Sequence, residues 1–189
     1  MPVVEVVVQD IPLKLQTQDG LFSPKAADRG TLAMLSCVTF QPDDKVLDLG
    51  CGYGLVGLLA AHTVNPHNVF MIDVDPIAVQ MSKKNVEAHG FADVTVQLSD
   101  GFKDFHETGL TKILANPPYH TDFSVAKHFI LKGFNRLQVG GHMYFVTKRQ
   151  EWYRKSLASA FGGCRVQQVD GYCVFTAEKR SESYAKRRR

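Results

Sequence analysis

The fold is decided by the segment Val46-Leu47-Asp48-Leu49-Gly50-Cys51-Gly52-Tyr53-Gly54, in which a short apolar run ends in a glycine-rich turn. Glycines at alternate positions allow positive φ angles and leave no Cβ between the turn and a bound ligand. Ligands of open α/β sheets bind at the carboxyl ends of the strands, which is where this turn begins. We therefore predict a ligand-binding loop formed by Asp48, Gly50, Cys51, Gly52 and Gly54.

The residues on either side of this loop alternate between short apolar runs and longer helical patterns. The patterns predict strands at residues 45–49, 69–73, 94–98, 112–116 and 142–147, and helices at residues 54–62, 76–89, 124–137 and 151–161. Repeated strand-then-helix order indicates parallel strands joined by right-handed crossovers. Two final apolar runs flank Asp170-Gly171, a typical hairpin turn. We therefore predict an α/β protein with a doubly wound, seven-stranded Rossmann-like sheet, mostly parallel, that ends in an antiparallel hairpin.

The chain divides into three parts by pattern and charge. Residues 1–44 contain two β-rich runs, Val3–Val8 and Ile11–Leu15, and a helical pattern from Lys25 to Cys37, so we expect a strand and helix extension that packs on a core of residues 45–178. Residues 179–189 carry six basic residues and one acid. Since the whole chain carries +3, the first 178 residues carry −2 and the basicity belongs to this tail.

Composition excludes several classes of protein. The 189 residues, 44% apolar and 22% charged, describe a globular chain with one sizeable core. The least polar stretch, residues 54–64, is shorter than the roughly 20 residues of a bilayer span. The first residues lack the pattern of a secretory signal, so we expect a cytoplasmic protein without membrane association. The four cysteines form no C-x-x-C pair, which disfavours a metal or dithiol site.

Acidic residues follow the second and third predicted strands. Asp73 comes 23 residues after the first glycine of the loop, a placement suited to accept hydrogen bonds from two ribose hydroxyls. Asp100, beside Gly101, could bind an adenine amino group, with Val74 or Phe102 against the ring. A simple turn is the alternative reading of Asp100-Gly101. The loop and these acids together predict a site for a nucleoside-bearing cofactor.

The motif Asn116-Pro117-Pro118-Tyr119 follows the fourth strand of the predicted sheet. It resembles the catalytic motif of class I S-adenosylmethionine-dependent methyltransferases that modify exocyclic or amide nitrogens. Such a nitrogen is a poor nucleophile because its lone pair is delocalised. The Asn116 oxygen and the Pro117 carbonyl can accept its hydrogens, the prolines stiffen the turn, and Tyr119 can stack on the substrate ring. Asn116 is also expected to contact the cofactor, whereas His120 is expected to be a packing or solvent-facing residue.

From residue 20 to residue 178 the chain is similar to the small-domain methyltransferases, which include bacterial ribosomal RNA guanine-N2 methyltransferases. Besides the glycine loop and the Asn116 motif, the resemblance rests on Gly20-Leu21-Phe22-Ser23, Asp28-Arg29-Gly30-Thr31 and Val139-Gly140-Gly141. In that family the residues matching Phe22 and Asp28 to Thr31 close over the cofactor. The resemblance therefore implies a cofactor-side role for Asp28, Gly30 and Thr31, and helix capping is the alternative.

The resemblance implies an S-adenosylmethionine-dependent N-methyltransferase acting on a nucleobase amino group in RNA, with guanine N2 of ribosomal RNA favoured. The expected partner is ribosomal RNA or a ribosomal subunit, and the oligomeric state stays open. Tyrosine in the motif is shared with protein glutamine-amide and adenine-N6 methyltransferases, which remain alternatives. Gly52-x-Gly54-x-x-Gly57 also fits a dinucleotide site, so an NAD-dependent oxidoreductase is a remote alternative.

Basic residues outside the predicted site could bind RNA. The tail could follow phosphates, with Tyr184 stacking on an unpaired base, or it could be a solvated end. Lys148, Arg149 and Arg154, beyond the fifth strand, could extend a basic rim beside the site. The larger guanine-N2 enzymes of the family carry an additional amino-terminal domain of similar fold, and we expect none in this chain.

Overall fold

The computed structural model, which describes residues 2–117 and 123–185, contains two β-sheets. The strands of the first are β1 (Val3–Val8) and β2 (Ile11–Gln16). Those of the second are β3 (Val46–Leu49), β4 (Val69–Asp73), β5 (Thr95–Leu98), β6 (Leu110–Ala115), β7 (Leu137–Thr147), β8 (Arg165–Val169) and β9 (Tyr172–Glu178). The second sheet has the order β5-β4-β3-β6-β7-β9-β8, with β9 antiparallel to both neighbours. The predicted seven-stranded, doubly wound sheet with its final hairpin is confirmed.

In the described part of the chain, five α-helices connect or flank the strands. They are α1 (Arg29–Leu35), α2 (Leu55–Ala61), α3 (Pro76–Ala88), α4 (Phe123–Arg136) and α5 (Gln150–Phe161). Helix α3 begins as predicted, because the Asp75 side chain accepts a hydrogen bond from the Ile77 amide and Pro76 occupies the first turn. The last four helices agree with the predicted ones to within one residue at each end. No helix in the described ranges has the length and apolar character needed to span a bilayer.

Two apolar layers cover the two faces of the large sheet. Helices α1, α2 and α3 contribute to one layer, which also includes Val8, Leu13 and Leu15 from the small sheet. Helices α4 and α5 contribute to the other. All four residues of β3 are buried, as is typical of a central parallel strand covered on both sides.

Two elements differ from their predicted bounds by more than two residues. Helix α1 is shorter than the predicted helix from Lys25 to Cys37, because the Asp28 carboxylate caps it by accepting from the Thr31 amide at 2.7 Å. Strand β7 begins at Leu137 rather than residue 142, and its pairing with β6 changes register between Leu110 and Lys112. The Asp28 cap is a local signal, whereas the start of β7 depends on its pairing with β6, which a local pattern does not encode.

The first half of the predicted tail packs on the protein. Lys179 is 3% exposed, and its Nζ donates to the Leu137 carbonyl oxygen at 2.8 Å. The ring of Tyr184 lies 4.7 Å from that of Phe134, and its hydroxyl donates to the Leu131 carbonyl oxygen at 3.0 Å. The Tyr184 ring is tilted by 40° against that of Phe134, and residues 180–184 are exposed, so the phosphate-binding and solvated interpretations of the tail both stay predictions. Residues 186–189 lie outside the described ranges.

Candidate active site

The glycine loop joins β3 to α2 in a conformation that requires glycine. Gly50, Gly52 and Gly54 have φ angles of 78°, 56° and 93°. The Gly50 and Cys51 amides both donate to the Ile72 carbonyl oxygen, at 2.9 and 3.0 Å, which fixes the loop to the end of β4. The loop therefore lies at the carboxyl ends of two adjacent parallel strands, as predicted.

Two buried polar side chains of α3 hold this loop from behind. Ser82 donates from Oγ to the Gly52 carbonyl oxygen at 2.9 Å. The Asn85 amide donates to the Tyr53 carbonyl oxygen at 2.8 Å and to the Gln16 carbonyl oxygen at 2.9 Å, and it accepts from the Gln16 amide at 2.7 Å. Asn85 thus connects the loop to the small N-terminal sheet. Neither Ser82 nor Asn85 was predicted, although polar residues on the apolar face of a helix are a signal for such a contact.

Asp73, at the end of β4, is fixed by two backbone groups. Its Oδ2 accepts from the Gly52 amide at 2.8 Å, and its Oδ1 accepts from the Asp75 amide at 2.9 Å. A carboxylate offers about four acceptor positions, so each oxygen keeps one for a further donor. This geometry suits the binding of two neighbouring hydroxyl groups.

Asp48 is a buried carboxyl group at the base of the loop. Asp48 is 3% exposed, and its Oδ2 accepts a hydrogen bond from the Gly57 amide at 2.9 Å. Burial raises the pKa of Asp48 to about 7, with a smaller contribution from the negative charge of Asp73, and the Gly57 hydrogen bond opposes the rise. Burial also raises the pKa of the neighbouring Cys51 thiol, so this cysteine stays protonated and is no nucleophile.

Asn116 is oriented by α1. Its Nδ2 donates to Asp28 Oδ2 at 2.8 Å and to Thr31 Oγ1 at 3.0 Å. Because the Asp28 carboxylate can only accept, the nitrogen of the amide faces α1 and the Asn116 oxygen points to the other side. Asp28 also caps α1 through Thr31, which confirms the capping interpretation, while its cofactor-side role stays a prediction.

These groups surround one cavity of about 380 Å³. The predicted residues that line it are Asp28, Thr31, Asp48, Gly50, Cys51, Gly52, Asp73, Val74, Asp100, Gly101, Asn116 and Pro117. Unpredicted apolar residues from five different elements complete the wall, among them Met34, Leu49, Val125 and Phe129. Phe22, whose counterpart closes over the cofactor in the family that the chain resembles, also lines the cavity.

Three predicted cofactor residues do not line the cavity. Gly30 is buried within the first turn of α1, and Gly54 lies behind the loop, where a Cβ would come within 2.8 Å of Ser82 Oγ. The Phe102 side chain is turned into the core, 4% exposed, with its ring centroid 6.5 Å from that of Phe129. Of the two residues predicted to contact an adenine ring, only Val74 therefore lines the cavity.

Several predicted residues lie outside the described ranges, namely Pro118, Tyr119 and His120. Among the residues that are described, no three His, Cys, Asp or Glu side chains are grouped to hold a metal ion. Of the predicted basic rim, Lys148 lies 4.9 Å from the Tyr172 ring and Arg149 lies 5.2 Å from the Phe123 ring, so both cations pack on aromatic faces.

Comparison with known proteins gives a family and a set of relatives. The model of the methyltransferase small domain family matches residues 12–176. Ribosomal RNA small subunit methyltransferase C of Pseudomonas putida (strain GB-1) is 32% identical over 178 residues, which are 92% of this chain and 53% of that protein. The chain thus spans about half the length of the curated relatives it matches.

Two solved structures share the fold. The 16S rRNA guanine-N2 methyltransferase RsmC of T. thermophilus, in complex with AdoMet and guanosine, superposes with a TM-score of 0.85 at 26% identity, covering 94% of this chain and 50% of that one. TrmN from Thermus thermophilus superposes with a TM-score of 0.67 at 25% identity, covering 79% of this chain and 48% of that one.

Proposed function

The chain belongs to the family of methyltransferase small domains, and we propose that it is an S-adenosylmethionine-dependent N-methyltransferase acting on an exocyclic amino group in RNA. Guanine N2 of ribosomal RNA is the proposed acceptor. The observation that carries the proposal is the position of Asn116, which lines the cavity beside the glycine loop with its amide held by Asp28 and Thr31.

The residues of the cavity fit S-adenosylmethionine. Asp73 keeps an acceptor position on each oxygen for the two ribose hydroxyls, and Val74 and Phe129 offer apolar surface for the adenine ring. The cavity volume of about 380 Å³ lies in the range of small-molecule sites, roughly 300–1,000 Å³. The buried carboxyl of Asp48 can compensate a positive charge on the ligand.

The chain's own residues prepare the acceptor nitrogen for attack. S-adenosylmethionine, when bound, supplies a methyl group on a positively charged sulfur. The Asn116 oxygen and the Pro117 carbonyl accept the two hydrogens of the amino group, which draws its lone pair out of conjugation and directs it into the cavity. Because α1 fixes the Asn116 amide before substrate arrives, this orientation costs little at the moment of reaction. The amine proton leaves for solvent after transfer, so no strong general base is needed.

The names of the relatives support ribosomal RNA as substrate. The Pseudomonas relative is named for the small-subunit RNA, and the T. thermophilus neighbour is a 16S rRNA guanine-N2 enzyme solved with guanosine. A protein that acts on this substrate would work in the cytoplasm, on free ribosomal RNA or on a ribosomal subunit.

Transfer of a labelled methyl group tests this proposal. The chain is incubated with methyl-labelled S-adenosylmethionine and, separately, with ribosomal RNA, small ribosomal subunits and purified ribosomal proteins. We expect label in RNA, either free or within the subunit. Label found only in protein would overturn the proposal in favour of glutamine-amide methylation.

Cofactor choice is tested independently by calorimetry with S-adenosylhomocysteine and with NADH. We expect binding of S-adenosylhomocysteine alone. Binding of NADH alone would show that the glycine loop serves an oxidoreductase.

A further inference from the structure

Helix α4 presents two adjoining stripes of residues with different chemistry. Val125 and Phe129 lie on the stripe that lines the cofactor cavity. The second stripe, which we call the α4 ladder, is spaced at intervals of four residues and therefore lies on one face of the helix. Its members are Ser124, His128, Lys132 and Arg136. The ladder begins at the amino end of α4, beside Val125, which lines the cavity together with Asn116.

The α4 ladder forms one wall of a second groove, of about 550 Å³. The opposite wall comes from the turn after β5 and includes Phe102 and Lys103. Asp100, Val125 and Phe129 line both the groove and the cofactor cavity, so the groove opens directly beside the cavity. The groove and the cavity thus share a wall built from α4 and the turn after β5.

Positive charge in this groove is largely uncompensated. In residues 2–117 and 123–185, no carboxylate forms an ion pair with Lys103, Lys132 or Arg136. Arg136 donates from Nη1 to the His106 carbonyl oxygen at 3.0 Å, and a guanidinium has five donors, so others remain for a ligand. Asp100, at the junction with the cavity, is the one acid among the described lining residues.

The charge of the groove differs from that of the rest of the molecule. Helix α4 contains Lys127, Lys132 and Arg136 and no acidic residue, whereas residues 1–178 as a whole carry −2. A cationic groove on an otherwise slightly acidic body is complementary to a polyanion and not to a neutral or basic partner.

We propose that the α4 ladder and Lys103 bind the phosphates of the single RNA strand whose base enters the active site. This inference rests on the proposed function for the identity of the polyanion. The ladder spans twelve residues of helix, about 18 Å. A stacked strand carries roughly five phosphates over that length. The strand runs along α4 toward its amino end, where the acceptor base reaches Asn116.

Binding of a fluorescein-labelled single-stranded RNA, followed by anisotropy across a salt series, tests the groove. The double variant Lys132→Gln/Arg136→Gln removes two cations. We expect the Kd of this variant for RNA to rise about tenfold at low salt. The slope of log Kd against the logarithm of the salt concentration should become shallower by about 1.4, the value for two lost phosphate contacts to a single strand. Affinity for S-adenosylhomocysteine should stay unchanged, which shows that the variant is folded.

The matched control is Lys83→Gln/Lys84→Gln on α3, which packs on the opposite face of the sheet. It removes the same charge and should leave RNA affinity and the salt slope nearly as in the wild type. Three results would each contradict RNA binding in this groove. They are an RNA affinity of the ladder variant equal to that of the wild type, an equal loss of RNA affinity in both double variants, and a wild type that binds no RNA.

Catalysis is measured separately so that the two proposals can fail separately. If the wild type methylates RNA and the ladder variant has the same KM for RNA, the proposed RNA-binding role of the groove is wrong and the proposed methyltransferase function is kept. If the wild type binds RNA through the ladder but transfers no methyl group to it, the RNA-binding role of the groove is kept and the proposed methyl transfer to RNA is wrong. We expect KM for RNA to rise about tenfold in the ladder variant with kcat nearly unchanged, because two phosphate contacts are lost and the reacting groups are not.

Discussion

The carboxylate of Asp28 serves a helix and an active site at once. Its Oδ2 accepts from the Thr31 amide at 2.7 Å, which begins α1, and from the Asn116 amide at 2.8 Å. The same atom therefore links the start of α1 to the orientation of Asn116, the residue that we propose binds the acceptor nitrogen. The two tasks can be separated by side-chain length.

The substitution Asp28→Ser separates them. Serine caps a helix about as well as aspartate, so we expect the free energy of unfolding to change by only about 0.5 kcal/mol. The shorter side chain does not reach Asn116, so the amide loses its acceptor at 2.8 Å and is held less firmly. We expect kcat for methyl transfer to fall about tenfold or more, and Asp28→Asn, which keeps the reach, to retain more activity. A serine variant with wild-type kcat would show that Asp28 does not position Asn116.

Asp48 makes stability depend on pH near neutrality. Its pKa is raised to about 7 in the folded state, above the value of about 4 in an unfolded chain. Between these values the folded state binds the extra proton, so the contribution of Asp48 to stability is present at low pH and is lost as pH rises through 7. The variant Asp48→Asn cannot ionise and lacks this loss.

We therefore expect Asp48→Asn to gain stability relative to the wild type on going from pH 5 to pH 8, by about 1 kcal/mol or more. Urea unfolding at the two pH values measures the difference. The same variant should bind S-adenosylmethionine more weakly at pH 8, because the compensating carboxylate is gone. If the difference in free energy of unfolding between Asp48→Asn and the wild type were the same at pH 5 and at pH 8, the raised pKa of Asp48 would be contradicted.

At the scale of elements, α2 packs closely on β4 through a glycine. A Cβ on Gly57 would lie 2.4 Å from Met71 Cε and 2.6 Å from Met71 Cγ, and Met71 is fully buried. We expect Gly57→Ala to destabilise the protein by about 1–3 kcal/mol, although alanine favours helices. Gly163→Ala is the control, since a Cβ there meets nothing within 4 Å. Thermal unfolding in which both variants match the wild type would contradict the close packing.

The segment after β9 is held to α4 by one aromatic side chain. Tyr184 is 41% exposed, and its ring packs on Phe134 while its hydroxyl donates to the Leu131 carbonyl oxygen. We expect Tyr184→Ala to lower the free energy of unfolding by about 1 kcal/mol. Tyr184→Phe, which keeps the ring, should lose less than that. Equal stability of the wild type and the alanine variant would indicate that this segment does not pack on the core.

Elements with a strong local pattern were predictable from the sequence. The core strands are apolar runs that end in turns, and Asp170-Gly171, with φ angles of 49° and 79°, forms the predicted hairpin turn. Features set by distant partners were not predictable. The start of β7 depends on its pairing with β6, and the course of the tail depends on a site for Lys179 near Leu137 and Phe134.

The same distinction holds for the candidate site. Motif residues such as Asp73 and Asn116 could be found because their types and their positions at strand ends carry the signal. Ser82 and Asn85 were missed: their polarity on the apolar face of α3 marks them as unusual, but their partners are backbone groups 30 or more residues away. Phe102 was misplaced because a turn residue can face either the cavity or the core, and the aromatic cluster with Phe105 and Phe129 favours the core.

In the whole molecule, helix α4 lines both the cavity that we propose binds the cofactor and the groove that we propose binds RNA. The cofactor cavity lies at the carboxyl ends of the parallel strands, and the groove of the α4 ladder opens beside it. Apolar residues from the first 44 positions share a layer with α2 and α3, and Asn85 connects the small sheet to the glycine loop. We therefore propose that this N-terminal extension supports the cofactor side, while α4 receives the substrate strand.

Nucleoside analysis of the methylated product tests the proposed activity and its acceptor atom together. Small-subunit ribosomal RNA is treated with S-adenosylmethionine and either the wild type or Asn116→Ala, digested to nucleosides and analysed by mass spectrometry. We predict N2-methylguanosine with the wild type and a loss of about a hundredfold or more with Asn116→Ala, whose affinity for S-adenosylhomocysteine stays near that of the wild type. A different methylated nucleoside, or equal product from the two proteins, would contradict this account.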